Sequence, residues 1–528
     1  MWIWIGIILL ALAAWAAFRT GLLARTAEDW VRGRLGGYRQ QPVAVDARRP
    51  RLAQPDTVRV AVVGGGIAGI GAAASLAERG LPVTLLERNH YLGGKIGAWT
   101  AAVGDGEQTV EHGFHAFFRQ YYNLNRFLDR LGLRKSFAPI EDYLIIDRSG
   151  RHWTFGEIAT APALNILDLG RRGFYRWRDV ASKRTRTRLE AFVRFDMERT
   201  YALWDSVTFA QFCDDAGLPD ELRVSFRTFA RAFFSDGADL STADVLRAFH
   251  FYYLSHDHGL LYDYPVGDYE TTLLGPIRTH LEAHGVDVRL AASIEAIEEG
   301  RERHFRIGDE EYDWVVLAAD IPGAKTIVSG SPWLREASPD LVRDIDQLDT
   351  SRGYAVWRIW VDRDLRPGLP TFVNVDRLRV LDSVTLYHRI TDEARAWAET
   401  HDGAVLELHS YALPSDVQEP DDVRRVFLEE LERYFPETAG IQIADEVLQV
   451  RHDFPAFAPG QRRHRPAPVS AIDGLLFAGD WVRLPDPMTH LEAAFTSGLI
   501  CANEVFDRLG LQREPIFSVA PKGLLPPS

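Results

Sequence analysis

Short apolar runs alternate with segments of helical length along most of the chain. Residues 58–63 and 83–86 are mostly apolar and short, as expected of parallel strands buried on both faces, and an alanine-rich segment of helical length joins them. Residues 286–290 and 313–319 repeat the buried-strand pattern. The alternation of apolar and polar positions in residues 354–361 and 404–411 instead predicts strands of a second sheet.

The turn after the first predicted strand contains four closely spaced glycines and one alanine. Its sequence begins Gly64-Gly65-Gly66 and continues to Ala68 and Gly69. Gly64 permits the tight bend, Gly66 allows a phosphate to approach the backbone, and Gly69 lets the helix lie close to the strand. The free N–H groups at the start of the helix, together with the helix dipole, attract a pyrophosphate. The turn therefore predicts a dinucleotide site.

The second predicted strand ends in an acidic residue. Glu87 lies where a carboxylate accepts hydrogen bonds from the ribose hydroxyls, and Arg88 follows it at the same site. A carboxylate there repels a 2′-phosphate, so NADP is not expected. An alanine-rich helix after a glycine turn can also be simple packing, but the agreement of strand, helix and acid favours binding.

Two further motifs distinguish among the dinucleotides. Gly93-Gly94-Lys95 follows Glu87 closely, and an apolar run near the end of the chain leads into Gly479-Asp480. Together with the glycine turn, these segments resemble the motifs of the FAD-dependent amine oxidase and phytoene desaturase superfamily. The resemblance implies FAD as the cofactor, with Asp480 on its ribityl or pyrophosphate part. That family usually has arginine where this chain has Lys95, which keeps the charge but loses the planar fork.

Longer segments carry a closer resemblance over roughly residues 57–525. Residues 112–124, 249–253, 259–263, 268–271 and 478–485 look like the carotenoid desaturase branch, and most like the β-carotene desaturase/methylases called isorenieratene synthases. This resemblance implies a hydrophobic polyene substrate from which a hydride passes to flavin N5. It leaves open which carotenoid is used, whether a ring is aromatised with methyl migration, and which electron acceptor reoxidises the flavin.

The same resemblance suggests further cofactor contacts. The strand that contains Val288 lies against the adenine in this superfamily, so Val288 is a candidate contact. A helix starting near Met488, after the Gly-Asp motif, could direct its positive end at the flavin. We expect these two residues to complete the cofactor site.

No spacing argument selects a catalytic acid or base. His112 and His115 follow the second motif and are candidates for the flavin pocket, although both could simply hydrogen-bond within a packed helix start. Asp263, Asp268 and Glu270 are equally open candidates for proton removal. The aromatic residues that could face a cationic intermediate, or be plain core, are Phe114, Phe117, Phe118, Tyr252 and Tyr253. His250, His256 and His258 lack a complete metal-ligand spacing, so no metal is expected.

Composition limits the class of protein. The net charge of −14 over 528 residues gives no reason to expect nucleic acid as a partner. Cys213 and Cys501 are the only cysteines, which excludes a disulfide framework and favours a reducing compartment. The length suits two interleaved domains. We expect an α/β protein in which a discontinuous Rossmann-like FAD-binding domain (57–145, 255–345, 445–515) is interleaved with an α+β substrate domain (146–254, 346–444).

The N-terminus and one internal segment suggest a membrane. Residues 2–18 are apolar and uncharged, and arginines follow but do not precede them. We therefore predict a single transmembrane anchor over residues 1–19, a basic linker over residues 20–56, and a catalytic domain in the cytoplasm. The alanine-rich sequence near Ala14 leaves a cleaved signal peptide as the alternative. Residues 171–194 mix many basic residues with aromatic ones, which fits either a helix lying on anionic lipid or an ordinary solvated helix.

Three functions fit these observations. The first is an FAD-dependent carotenoid desaturase, the second an FAD-dependent amine oxidase on the same scaffold, and the third a membrane-tethered flavin or isoprenoid binding protein without turnover. The apolar N-terminus and the aromatic segments favour the first over the second. The completeness of the motifs argues against the third.

Overall fold

The computed structural model describes residues 17, 41–42, 48–53, 58–104, 106–218, 220–255 and 258–526. Its centre is a five-stranded parallel sheet whose strands come from distant parts of the chain. In spatial order the strands are Val286–Arg289, Val83–Leu86, Val60–Val63, Trp314–Leu317 and Leu475–Phe477. The three central strands are apolar and mostly buried, as a sheet covered on both faces requires.

Two helices pack closely beside this sheet. Ile67–Glu78 follows the glycine turn, and the long C-terminal helix His490–Leu509 lies against it. A methyl group on Gly498 would stand 2.2 Å from the carbonyl oxygen of Ala68, so the close approach of the two helices depends on a glycine. Gly275–Ala283 leads into the edge strand Val286–Arg289.

A seven-stranded sheet forms the second layer. Its neighbouring strands are antiparallel except for one parallel pair, Tyr143–Ile146 with Phe372–Val375. In spatial order the strands are Ile443–Arg451, Tyr354–Val361, Ala404–Ser410, Ser383–Leu386, Phe372–Val375, Tyr143–Ile146 and His152–Thr154. On one face of the sheet, apolar side chains pack against the helix Pro420–Tyr434 and form a core. Residues on the other face line part of the cavity described below.

The remaining elements surround these two layers. The other α-helices are Tyr122–Arg130, Leu164–Arg171, Lys183–Val193, Met197–Trp204, Phe209–Ala216, Asp220–Arg231, Thr242–Phe249, Ile321–Ser329, Pro332–Ala337, Pro339–Asp346 and Asp392–His401. Short 3₁₀ turns cover Gly94–Ile96, Leu133–Ser136, Trp177–Val180, Tyr387–Arg389, Pro436–Thr438 and Gln461–His464, and π-helical turns cover His250–Leu254 and Glu270–Leu274. Two of the smaller sheets have three strands. Tyr262–Pro265 lies between Phe117–Phe118 and Phe137–Pro139, and Phe305–Ile307 lies between Glu298–Glu299 and Glu310–Tyr312. Two others are strand pairs, Ala98–Val103 with Gly106–Glu111 and Gln41–Pro42 with Phe517–Ser518.

The domain division drawn from the sequence stays a prediction, and two of its boundaries fall inside strands. The boundary near residue 145 lies within Tyr143–Ile146, and the boundary near residue 445 lies within Ile443–Arg451. Both strands pair within the seven-stranded sheet. A boundary placed by motif spacing cannot detect this, because the partners of these strands lie far away in sequence.

The predicted membrane anchor, residues 1–19, lies outside the described residues except for Ala17, and so does most of the predicted linker. Among the helices that the structure does describe, none combines the length and the apolar character needed to cross a bilayer.

Candidate active site

A cavity of about 890 Å³ lies between the two layers. Part of its wall comes from the glycine turn, Glu87, the Gly93-Gly94-Lys95 motif and Gly479-Asp480. The rest is mainly aromatic and aliphatic and reaches the helices between residues 164 and 254. One continuous space therefore joins the three predicted cofactor motifs to an apolar chamber.

The glycine turn combines glycines required by packing with one that leaves open space. Gly64 adopts a φ of +114°, and a methyl group on Gly69 would lie 1.9 Å from the Gly64 carbonyl oxygen. Gly66 has an ordinary φ of −72°, and a methyl group there would meet no protein atom closer than Gly94 Cα at 3.9 Å. The space left by Gly66 belongs to the cavity. Such space beside a helix N-terminus suits a phosphate group.

Glu87 is buried beside this turn. Its carboxylate accepts hydrogen bonds from the Gly65 N–H at 2.6 Å and from the backbone and side-chain N–H groups of Asn89, both at 2.8 Å. These bonds fix the carboxylate at the cavity wall, where it can also accept hydroxyl protons. Arg88, the next residue, also lines the cavity and pairs with Asp320 at 2.6 Å.

Lys95 joins the second motif to the third. Its amino group lies 2.9 Å from Oδ2 of Asp480 and 4.6 Å from the centre of the Phe454 ring. The backbone N–H of Gly93 donates to the Gly65 carbonyl at 2.8 Å, so the first two motifs are also in direct contact. Three segments separated widely in sequence thus meet at one wall of the cavity.

The other predicted cofactor residues divide into two groups. Ala68, Gly94 and Gly479 line the cavity, whereas Gly65 and Gly69 lie behind its wall. Val288 and Met488 do not line it. The loop after the edge strand contributes residues 292–295 instead of Val288, and the C-terminal helix begins at His490, so His490 and Leu491 take the place expected for Met488.

His112 and His115 both line the cavity. His112 Nε2 lies 3.1 Å from the Tyr354 hydroxyl, and His115 donates its Nδ1 proton to the Gly113 carbonyl at 2.8 Å. Burial lowers the pKa of His112 to about 3 and that of His115 to about 4. Both rings are therefore neutral near pH 7.

The three carboxylates considered for proton removal are not brought to the cavity. Asp263 is buried in ion pairs with Arg119 and Arg134. Asp268 accepts the Thr271 N–H at 2.7 Å, and Glu270 is exposed. None of the three lines the cavity wall. Successive side chains of a strand point to opposite faces, so Asp263 faces away from the cavity that its neighbour Tyr262 lines.

Most of the predicted aromatic residues face the cavity. Phe114, Phe118, Tyr252 and Tyr253 line it, whereas Phe117 is fully buried against Phe137. The adjacent Tyr252 and Tyr253 lie in the π-helical turn His250–Leu254, and both line the wall. Such turns are frequent at functional sites.

A buried charge cluster beneath the cavity was not predicted. Arg358 lies 2.6 Å from Glu407 Oε2 and 2.7 Å from Glu111 Oε2, and its guanidinium stacks 3.6 Å from the centre of the Tyr387 ring. His409 joins the cluster through a bond of 2.9 Å between its Nε2 and Glu407 Oε1, and it lines the cavity. The sequence signal for this cluster was the presence of Arg358, Glu407 and His409 in otherwise apolar strands. Burial of such side chains costs free energy unless they pair with one another.

The basic segment around residues 171–194 places its aromatic and basic residues differently. Phe174 and Tyr175 line the apolar part of the cavity, while Lys183, Arg184 and Arg186 on the helix Lys183–Val193 are exposed. Leu189 and Phe192 on the same helix also line the cavity. The helix therefore separates the apolar chamber from solvent.

The described residues contain no cluster of three or more His, Cys, Asp or Glu side chains suited to hold a metal ion. His258 lies among these residues, whereas His256 lies outside them.

The family comparison agrees with this site. Residues 67–506 match the model of the flavin-containing amine oxidoreductase family. The fold and the three motifs that meet at the cavity define an FAD-dependent oxidoreductase. The chain belongs to the flavin-containing amine oxidoreductase family. The expected FAD cofactor is thereby confirmed.

Individual relatives support the narrower resemblance. A carotenoid phi-ring synthase of Streptomyces griseus is 33% identical over 94% of this chain and 97% of that protein. A 15-cis-phytoene desaturase of Arabidopsis thaliana is 25% identical over 86% of this chain and 81% of that protein. The solved structure of cyclohexylamine oxidase from Brevibacterium oxydans aligns with a TM-score of 0.62 at 16% identity, covering 86% of this chain and 99% of that one, which shows the shared α/β fold alone. The predicted resemblance to the carotenoid desaturases is confirmed.

Proposed function

We propose that this protein is an FAD-dependent carotenoid oxidoreductase that removes hydrogen from a ring or polyene carbon. The observation that carries the proposal is the continuity of the cavity, in which the FAD motifs open directly into a chamber lined by aromatic and aliphatic side chains. A hydrocarbon can fill such a chamber without leaving polar groups unpaired. The two relatives described above, a carotenoid phi-ring synthase and a 15-cis-phytoene desaturase, support the same substrate class.

Desaturation removes two hydrogens from adjacent carbons, one as a hydride and one as a proton. Bound oxidised flavin supplies the hydride acceptor. The residues of the chain have to hold the polyene, exclude water and receive the proton. Phe118, Tyr252 and Tyr262 form a continuous aromatic group in the wall, with Phe118 4.7 Å from Tyr252 and 5.3 Å from Tyr262 between ring centres.

We propose further that the reaction proceeds to ring aromatisation with migration of a methyl group. Migration requires a carbocation, and aromatic faces stabilise a cation in a dry site. The aromatic group described above provides such faces. The relative at 33% identity is named a carotenoid phi-ring synthase, which supports this extension.

A membrane position would suit such a substrate. We propose that residues 1–19 anchor the chain, with the catalytic domain on the cytoplasmic side, and that the exposed basic face of Lys183–Val193 rests on anionic lipid. The support is that the opposite face of this helix contributes Leu189 and Phe192 to the apolar chamber. A carotenoid could then enter from the bilayer without crossing water.

Coexpression in a carotene-producing bacterial host tests the function. Pigments extracted from cells that carry the wild-type chain should include new desaturated or aromatic species, while cells that carry the Gly66→Ala variant should retain the carotene. Recovery of untouched carotene from cells whose wild-type protein contains FAD would contradict the proposal. The same protein should then be tested against amines, and turnover of neither substrate would favour a binding protein.

A further inference from the structure

The seven-stranded sheet presents one row of side chains to the cavity. Successive residues of a strand point to opposite faces, so Glu407 and His409 share a face while Leu406 and Leu408 pack in the core on the other side. The register pairs His409 with Val356 and Glu407 with Arg358 on the neighbouring strand. His409 thus lies at the cavity wall, with Glu407 directly behind it.

Four histidines line the cavity, and their partners differ. His112 lies beside a tyrosine hydroxyl and His115 beside a backbone carbonyl, while His490 packs against Phe233 with ring centres 5.1 Å apart. His409 is bonded to a carboxylate, at 2.9 Å. A carboxylate partner is what makes a neutral imidazole a stronger proton acceptor. Within the described part of the chain, His409 is the cavity histidine with such a partner.

The charge around Glu407 fixes the tautomer of His409. Burial alone would favour a neutral Glu407, but Arg358 and His409 hold the pKa of Glu407 at about 2. The ionised carboxylate only accepts hydrogen bonds, so the His409 Nε2 carries the proton that it receives. The Nδ1 atom has no hydrogen-bond partner among the described residues, and its lone pair is available to the cavity.

Charged groups surround His409 on the side of Glu407. Glu111 and Glu407 share the single guanidinium of Arg358. The titratable and charged groups around His409 are Glu407, Tyr411, Arg358, Glu111, Asp382 and His115.

We infer that His409 is the catalytic base of the proposed reaction, with Glu407 as its positioning residue. FAD held by the three motifs would supply the acceptor for the hydride of one substrate carbon. The C–H bond of the neighbouring carbon would then break toward Nδ1 of His409. The electron pair of that C–H bond becomes the new carbon–carbon π bond, and the proton forms an N–H bond on the ring. The imidazolium later returns this proton to water. This inference rests on the proposed carotenoid function.

The geometry of Gly113 supports a fixed position for this ring. Gly113 has a φ of +137°, and a methyl group there would lie 3.1 Å from Cε1 of His409. The glycine therefore allows the chain segment 112–115 to approach the imidazole closely. The ring also lies 5.7 Å from that of Tyr411. These neighbours limit rotation of the base away from Glu407.

The test compares His409→Ala with His401→Ala in the full-length protein loaded with FAD. The exposed His401 ends the helix that precedes the strand of His409, and it serves as the matched control. Three quantities are measured: FAD content, equilibrium binding of a carotene by fluorescence quenching, and the rate of anaerobic flavin reduction by that carotene. His409→Ala should keep the first two within about twofold and lower the rate by roughly 100-fold or more.

Added imidazole separates a base from a structural residue. It should restore part of the flavin reduction rate in His409→Ala, increasingly as pH rises and more free-base imidazole is present, and it should leave His401→Ala unchanged. Glu407→Gln should slow reduction while carotene binding is kept. Absence of rescue, loss of carotene binding in His409→Ala, or a rate near wild type would overturn the inference. If the wild-type protein is itself not reduced by carotene, the proposed function fails and the inference fails with it.

Discussion

The amino group of Lys95 lies 2.9 Å from the carboxylate of Asp480, although 385 positions separate the two residues. The ion pair holds the second cofactor motif against the third at the wall of the cavity. Each side chain is largely shielded from water, with 22% and 12% exposed, so loss of one partner leaves the other poorly compensated.

Lys95→Met should therefore release FAD. Removal of the cation leaves Asp480 unpaired where the negative pyrophosphate is expected, and we expect FAD affinity to fall at least about 30-fold, which corresponds to ~2 kcal/mol. Lys95→Arg should retain FAD because the charge is kept, and the exposed Lys135→Met should behave as wild type. Isothermal titration of the apoprotein with FAD measures this. Unchanged affinity in Lys95→Met would mean that the pair does not contribute to the cofactor site.

Alanine substitutions at two glycines of the turn should have different effects, one on FAD affinity and the other on the stability of the apoprotein. A methyl group at Gly66 meets open space, so Gly66→Ala should lower FAD affinity at least about tenfold while the apoprotein unfolds like the wild type. A methyl group at Gly69 would overlap the Gly64 carbonyl, so Gly69→Ala should destabilise the apoprotein by about 1–3 kcal/mol. Chemical denaturation and FAD titration of both variants separate the effects. Equal destabilisation of the two apoproteins would contradict this account.

Acid should destabilise the fold through its buried histidines. Burial lowers the pKa of His250, which stacks on Phe195, to about 4, whereas an unfolded histidine titrates near about 6.5. Between these values the unfolded chain binds more protons, so stability is present above the upper value and is lost as pH falls toward the lower one. One such site contributes at most about 1.4 kcal/mol per pH unit.

His250→Gln should flatten that pH dependence. The amide can still donate to the Ala520 carbonyl that now accepts from the ring at 2.7 Å, but it does not titrate. Thermal unfolding followed between about pH 7 and pH 4.5 should show a shallower fall of Tm in the variant than in the wild type or in the exposed His401→Gln control. An identical slope in all three proteins would show that His250 is not buried in its neutral form.

The basic helix should determine attachment to anionic lipid. In a chain that lacks residues 1–19, Lys183→Glu with Arg186→Glu should weaken binding to vesicles containing phosphatidylserine by at least about tenfold, given ~1 kcal/mol for each basic residue near the surface. Arg335→Glu with Arg433→Glu changes the net charge equally at exposed positions elsewhere and serves as the control. If the two double variants lose vesicle binding equally, net charge rather than this helix is responsible.

The sequence predicted the cofactor half of the molecule well because its signals are local. A strand, a glycine turn or the Gly-Asp motif can each be recognised from a few consecutive residues. The strands Val83–Leu86 and Tyr354–Val361 have the predicted bounds. The cofactor contacts expected of Val288 and Met488 stay predictions. Neither residue lines the cavity, since the position of such a residue depends on where a loop or helix begins. The sequence left the choice among the carboxylates open for a related reason, because the ion pairs of Asp263 come from distant segments.

The charge cluster could not be predicted from local sequence patterns, because its members are distant in sequence. Arg358, Glu407 and Glu111 meet only through the register of two strands and the end of a third strand, Gly106–Glu111, from another part of the chain. A lone histidine in an apolar strand is uninformative until its carboxylate partner is known. The structure therefore adds a candidate for proton removal at His409, where the sequence offered His112 and His115 among the histidines.

Anaerobic mixing of the purified FAD-loaded protein with a carotene in detergent tests the central claim most directly. We predict that the visible absorbance of the oxidised flavin bleaches, with one new double bond formed for each flavin reduced, while amines under the same conditions leave the flavin oxidised. A flavin that bleaches with amines but stays oxidised with carotene would contradict the account.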